Sequence, residues 1–167
     1  MIRLATAILH NRASAEEITQ DCWVSILRNI DRFEGRSSLA GWIFTILTNA
    51  ARSRARRDGR SISFDDDDDE GGLAAAFDGH GRWKAMPDLW ENVTPERILA
   101  GRNILDQVNV AVDNLPPAQR AVMILRGQQE LDADEVCAML EISHANMRVL
   151  LHRARLSVRA ELDHLLG

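Results

Sequence analysis

The amino-acid sequence predicts an all-α protein: two small helical domains joined by an acidic flexible linker. Three observations carry this expectation. Apolar residues recur every three or four positions in two separate blocks, as amphipathic helices require. Between the blocks, Asp65 to Asp69 are five consecutive aspartates, followed by Glu70 and two glycines, and no apolar period runs through them. Nowhere do β-branched residues alternate with polar ones long enough to form a sheet.

In the first block, Ile18, Cys22, Ile26, Ile30 and Phe33 form a stripe that Trp23 and Leu27 widen, with Ser14 as the N-cap. A break from Glu34 to Ser38 contains Gly35. It leads to a second helix with Leu39, Trp42, Ile43, Ile46, Leu47 and Ala50 on one face, ending near Arg57 to Gly59. The second block opens with Thr94 as N-cap and Pro95 at the first helical position. Its apolar positions Ile98, Ile104, Leu105, Val108 and Val112 continue to Leu115, where Pro116 and Pro117 end one helix and start another. Three further helical stretches are expected near 117 to 126, 133 to 140 and 144 to 165, joined by breaks too short for strands. Asp132 followed by Glu135 resembles a capping box, with an aspartate in place of Ser or Thr. Domain bounds of 1–60 and 95–167 follow, with 61–94 as linker.

Composition narrows the class. The 167 residues carry a net charge of -5, but the charges are segregated. Residues 1–60 hold 10 Lys and Arg against 6 Asp and Glu, residues 61–104 hold 4 against 10, and residues 105–167 hold 6 against 9. The first third is therefore basic although the whole is acidic. Apolar runs stop far short of the roughly 20 residues a membrane span needs, and the N-terminus lacks a signal-peptide pattern, so no membrane insertion and a cytoplasmic location are expected. Cys22 and Cys137 are too few and too far apart for a disulfide framework or a zinc motif, and each sits in an apolar helical pattern as a buried reduced thiol.

Two constellations point to nucleic acid. The helix from Ala133 to Leu140, the turn Glu141-Ile142-Ser143 and the long helix after it outline a helix-turn-helix, whose second helix enters the major groove. Along that helix Met147, Leu151, Ala154, Val158, Leu162 and Leu165 form a core stripe, and His144, Arg148, His152, Arg155 and Arg159 a cationic one. Arginine suits the position because its planar fork reaches guanine edges bidentately or clamps a phosphate. In the first domain, Arg52, Arg54, Arg56, Arg57 and Arg60 fall within nine residues. Thr45, Asn49, Arg52 and Arg56 share a strip beside Trp42, the mixture of polar, cationic and aromatic groups that binds single-stranded bases. The alternative for this strip is a core Trp42 and a soluble helix end.

The run from Ala15 to Trp23 (AEEITQDCW) and that from Phe33 to Trp42 (FEGRSSLAGW) resemble the second conserved region of extracytoplasmic-function sigma factors. Leu115-Pro116-Pro117-Ala118-Gln119-Arg120 and Leu151-His152-Arg153-Ala154-Arg155 resemble the fourth region. The resemblance implies that Glu17, Gln20 and Asp21 dock on core RNA polymerase. It further implies that Arg36, Ser37, Ser38, Trp42, Asn49, Arg52 and Arg56 open and read the minus-ten promoter element. Ser143, His144, Asn146, Arg148, His152, Arg153 and Arg155 would read the minus-thirty-five element as duplex, while the linker threads the polymerase interior. An anti-sigma factor is an implied partner.

The implied protein is not an enzyme and takes no cofactor or metal. The residues agree: no histidine lies beside a plausible nucleophile, no glycine-rich loop follows a strand, and repelling flexible aspartates make a poor metal site. Three departures from the family pattern stand out. The chain starts inside the second region, so the N-terminal domain is expected to be short at its beginning. Glu141 replaces the usual turn glycine, and Leu150 replaces a common basic residue but lies nearer the core stripe than the cationic one. Two other readings fit part of the sequence: a free-standing helix-turn-helix regulator, and a degenerate sigma-like module that titrates an anti-sigma factor.

Overall fold

Helix formation begins earlier than the sequence pattern suggests. The computed structural model describes residues 1–59, 64 and 101–166, with side chains described for all of these except 101–104 and 163–166. Its first helix, α1 (Ile2–Leu9), buries Leu4, Ala5, Ala7, Ile8 and Leu9 and ends on His10 in the left-handed conformation, whose N–H donates to the Thr6 carbonyl. Two residues later α2 (Arg12–Asn29) starts, capped by the Asn11 side chain, which accepts from the Ser14 N–H at 3.0 Å. Ser14 is thus the recipient of the cap and not the cap itself. A single 3-10 turn (Ile30–Arg32) and a loop through Gly35, at φ 69°, lead to α3 (Leu39–Arg57). The Ser38 hydroxyl caps α3 by accepting from the Gly41 N–H at 2.9 Å.

On α2 the expected stripe is buried at Ile18, Cys22 and Ile26 but not at its widening edge, and on α3 the buried face is rotated from the one expected. On α2 the buried residues are Ala15, Ile18, Thr19, Cys22 and Ile26, whereas Ile30, Trp23 and Leu27 are 41%, 46% and 71% exposed. On α3 they are Gly41, Phe44, Leu47, Thr48, Ala51 and Ala55, with Leu39 exposed. The reason is α1. It packs on both helices and brings Leu4, Ile8 and Leu9 into the same core as Ala15 and Ala51.

The second group comprises α4 (Gly101–Asp113), α5 (Pro117–Val122), one π-type turn (Met123–Gln128), α6 (Ala133–Leu140) and α7 (His144–Leu166). Pro117 opens α5 at its first position, and the Arg120 guanidinium closes the preceding turn by donating to the Leu115 carbonyl. Asp132 is the N-cap of α6 as expected, but its side chain makes no capping bond. Glu135 does not complete a capping box; its carboxylate lies against Gly41 of α3. The core stripe of α7 is buried as expected at Met147, Leu151, Ala154 and Val158, and Leu150 joins it with no exposure at all.

The two groups share one continuous core, because α1 also packs against α5 and α3 against α6. Arg3 stitches them at the edge by donating to Asp113 (2.8 Å), to the Asn109 side chain (2.7 Å) and to the Asn109 carbonyl (3.0 Å). Cys22 and Cys137 are free, buried thiols; burial foremost, then Asp21 and Asp134 respectively, pushes their pKa values up. No helix among the described residues is long and apolar enough to cross a membrane. Thr94, Pro95, Ile98 and the aspartate run lie outside the described residues.

Candidate nucleic-acid interface

The helix-turn-helix is built by a turn of three residues. Glu141 follows the last residue of α6 at φ 56° and ψ 45°, in the left-handed region, and its N–H donates to the Cys137 carbonyl. Ile142 donates to the same carbonyl at 3.1 Å, which satisfies the end of α6. A side chain other than glycine costs about 1 kcal/mol in this conformation. The backbone nevertheless takes the shape glycine would give, so the departure at Glu141 changes what the turn presents and not its path. Ser143 then caps α7, its hydroxyl accepting from the Asn146 N–H at 3.1 Å.

At the start of α7, Ser143 and His144 are exposed, and the His144 ring lies 3.0 Å from the Asp134 carboxylate on α6. Asn146 is half-buried, and its side-chain amide donates to the Phe64 carbonyl. Arg148 and Arg153 are half-buried and Arg155 is exposed, so three guanidinium groups remain at or near the surface. His152 differs: α4, α5, α6 and the π turn all pack on α7, and the imidazole is only 5% exposed. Burial first, and Arg155 second, lowers its pKa. The angular count that put His152 on the cationic stripe assumed that one face of α7 is packed, whereas four elements cover it.

In the first group, Arg36, Ser37 and Ser38 sit on the exposed loop before α3. Arg36 pairs with Glu34 at 2.5 Å, both well solvated, and Ser38 is committed to its cap. Trp42 is half-buried, its ring 5.4 Å from that of Phe33 and tilted by 47°, so it is neither a core residue nor an isolated surface one. Asn49 and Arg56 are exposed on α3. Arg52 is largely covered: it donates to the Met139 carbonyl at 3.0 Å and to the Glu141 carboxylate at 2.5 Å. An open groove separates the Arg36 loop from the Arg126 to Glu135 segment.

On α2, Glu17, Gln20 and Asp21 are exposed and lie on one face at helical spacing. Sequence reasoning missed the apolar residues beside them. Val24, at 48% exposure, and Leu27 continue the line from Gln20, with Trp23 next to them. The available signal was excess: α2 carries more large apolar residues than one packed stripe needs.

Comparison with known proteins follows this geometry closely. Residues 1–61 match the family model for Sigma-70 region 2, and residues 105–158 match that for Sigma-70 region 4. A probable RNA polymerase sigma factor of Haemophilus influenzae is 26% identical over 159 residues, covering 95% of this chain and 82% of that one. The ECF RNA polymerase sigma factor SigW of Bacillus subtilis is 24% identical, covering 98% of this chain and 83% of its own. Among solved structures, the sigma factor RpoE of Bartonella quintana, in complex with the anti-sigma factor NepR, superposes with a TM-score of 0.56 at 22% identity, covering 97% of this chain and 89% of that one. The fold and the two region matches define the class, a sigma factor of transcription initiation. The chain belongs to the sigma-70 family, in its extracytoplasmic-function group.

Proposed function

We propose that this alternative sigma factor divides its work among three surfaces. The outer face of α2, with Glu17, Gln20 and Asp21 around the exposed Val24 and Leu27, docks on core RNA polymerase. An apolar centre with a polar rim is what a protein interface needs. The loop at Arg36 and Ser37 and the strip of Trp42, Asn49, Arg52 and Arg56 capture the opened minus-ten element, by stacking and by phosphate neutralisation. Ser143, His144, Asn146, Arg148, Arg153 and Arg155 address the minus-thirty-five duplex. His152 is left out of that set because it is buried.

Residues 1–60 and 95–167 are the working domains, and 61–94 is the acidic tether between them. Promoter DNA and core polymerase are the partners, the cytoplasm is the compartment, and bond-making is left to the polymerase. An anti-sigma partner, such as the one bound to the Bartonella quintana relative, fits the same scheme.

The observation that supports this reading is the presence on one chain of α3 with its aromatic and cationic strip and of α7 behind a helix-turn-helix turn. A free-standing regulator needs only the second. The test is gel filtration of the purified full chain with core polymerase, followed by run-off transcription from promoter DNA. Co-elution and promoter-dependent transcripts are expected. A folded chain that neither co-elutes nor initiates would sink the proposal.

A further inference from the structure

Across the helix-turn-helix, the first residue of α7 meets the first turn of α6 in an exposed pair. His144 Nε2 lies 3.0 Å from a carboxylate oxygen of Asp134. Local backbone bonds set this placement. The left-handed Glu141 turns the chain, the Cys137 carbonyl accepts from Glu141 and Ile142, and the Ser143 hydroxyl caps α7. A carboxylate has only lone pairs to offer, so an imidazole nitrogen that bonds to it must carry the hydrogen. In the neutral ring the other nitrogen, Nδ1, is then an acceptor. Both members of the pair therefore offer lone pairs to whatever approaches. Arg148, one turn further along α7, offers only donors. In the major groove the donors are the exocyclic amino groups of adenine and cytosine, whereas guanine shows acceptors there.

We propose that Asp134 is a positioning residue for base reading: it holds His144 as the Nε2–H tautomer, and Nδ1 of that ring accepts from the exocyclic amino group of an adenine or a cytosine. This rests on the sigma-factor reading above and deepens it by naming the base chemistry that His144 recognises. Asp134 acts through the ring and does not itself read a base. One turn of helix rises about 5.4 Å, against about 3.4 Å per base step, so the position read by His144 lies one or two steps from that read by Arg148.

The test has two arms. In the first, the full chain carries nitrogen-labelled histidine and is observed by NMR without DNA at about pH 8, where histidine is ordinarily neutral. His144 is expected as the Nε2–H tautomer with a slowly exchanging proton. Asp134→Ala is expected to speed that exchange and to mix the tautomers, and Asp134→Glu to restore part of the wild-type signal. Both side chains are exposed, so these substitutions leave the core untouched. A His144 signal that Asp134→Ala leaves unchanged would overturn the positioning role. In the second arm, the chain assembled with core polymerase selects from duplexes randomised across the minus-thirty-five element. His144→Ala and Asp134→Ala are expected to lose discrimination at the same single position, one or two steps from the one lost in Arg148→Ala. At that position the adenine or cytosine is then replaced by the base analogue lacking the amino group. The replacement is expected to weaken wild-type binding roughly three- to ten-fold more than binding by His144→Ala, and the base that responds tells adenine from cytosine. Equal weakening of both proteins, or a loss in Asp134→Ala spread over the whole element, would overturn the base contact. A pool in which no sequence is enriched would overturn the sigma-factor reading and the base contact with it, while the NMR result on the pair stands by itself.

Discussion

The imidazole of His152 ties the stability of the C-terminal domain to pH. Burial, with Arg155 as the second cause, holds its pKa below the ordinary 6.5. The unfolded chain therefore binds more protons than the folded one in the interval between the lowered value and 6.5. The stabilisation from keeping this ring neutral is complete above pH 6.5 and is lost as pH falls through 6.5 toward the folded value. Urea unfolding of the full chain at a series of pH values should show stability declining on acidification, and His152→Leu should flatten that decline. An equally steep decline in the variant would mean that other groups set the pH dependence. Glu141 makes the complementary point, since its backbone conformation costs about 1 kcal/mol and its side chain binds Arg52 across the domain boundary.

At the scale of elements, α7 is covered by four neighbouring elements and still carries Arg155 and Arg159 exposed and Arg148 and Arg153 half-buried. Arg148 lies one turn beyond the start of the helix, where side chains reach deepest into a groove. Arg148→Ala is expected to weaken binding of a minus-thirty-five duplex by about 1–3 kcal/mol and to relax discrimination at one base position. Titration of matched and mismatched duplexes measures both, and an unchanged affinity would remove Arg148 from the readout. The bounds of α3, α6 and α7 and the Pro116-Pro117 junction were legible in the sequence, because caps and prolines act locally, whereas the left-handed Glu141 was not, because a non-glycine residue there is disfavoured. The core place of Leu150 was legible from angular position alone. The stripe of Ile18, Cys22 and Ile26 on α2 was legible too, but the exposure of Trp23 and Leu27 was not, because large apolar residues look like core until the neighbours of their helix are known. The burial of His152 was missed for the same reason: a periodicity count knows one helix and not the number of its neighbours. Glu135 fitted a capping box in sequence, yet its carboxylate turned to α3, a choice set by tertiary contact.

At the scale of the whole molecule, the arrangement sorts surfaces by partner. The α3–α6 contact covers Arg52, whereas Glu17, Gln20, Asp21, Val24 and Leu27 on α2 remain exposed. The face proposed to dock on polymerase is therefore exposed while Arg52 is engaged by Met139 and Glu141. The Arg3 bonds to Asn109 and Asp113 and the shared core hold the two groups together. Asp21→Ala separates the surfaces experimentally. It is expected to lower affinity for core polymerase, read by competition against the wild type, and to leave isolated duplex binding unchanged, because α2 contributes no residue to either DNA-reading strip. Equal loss of both activities would mean that α2 supports the fold of the N-terminal domain and does not dock on polymerase.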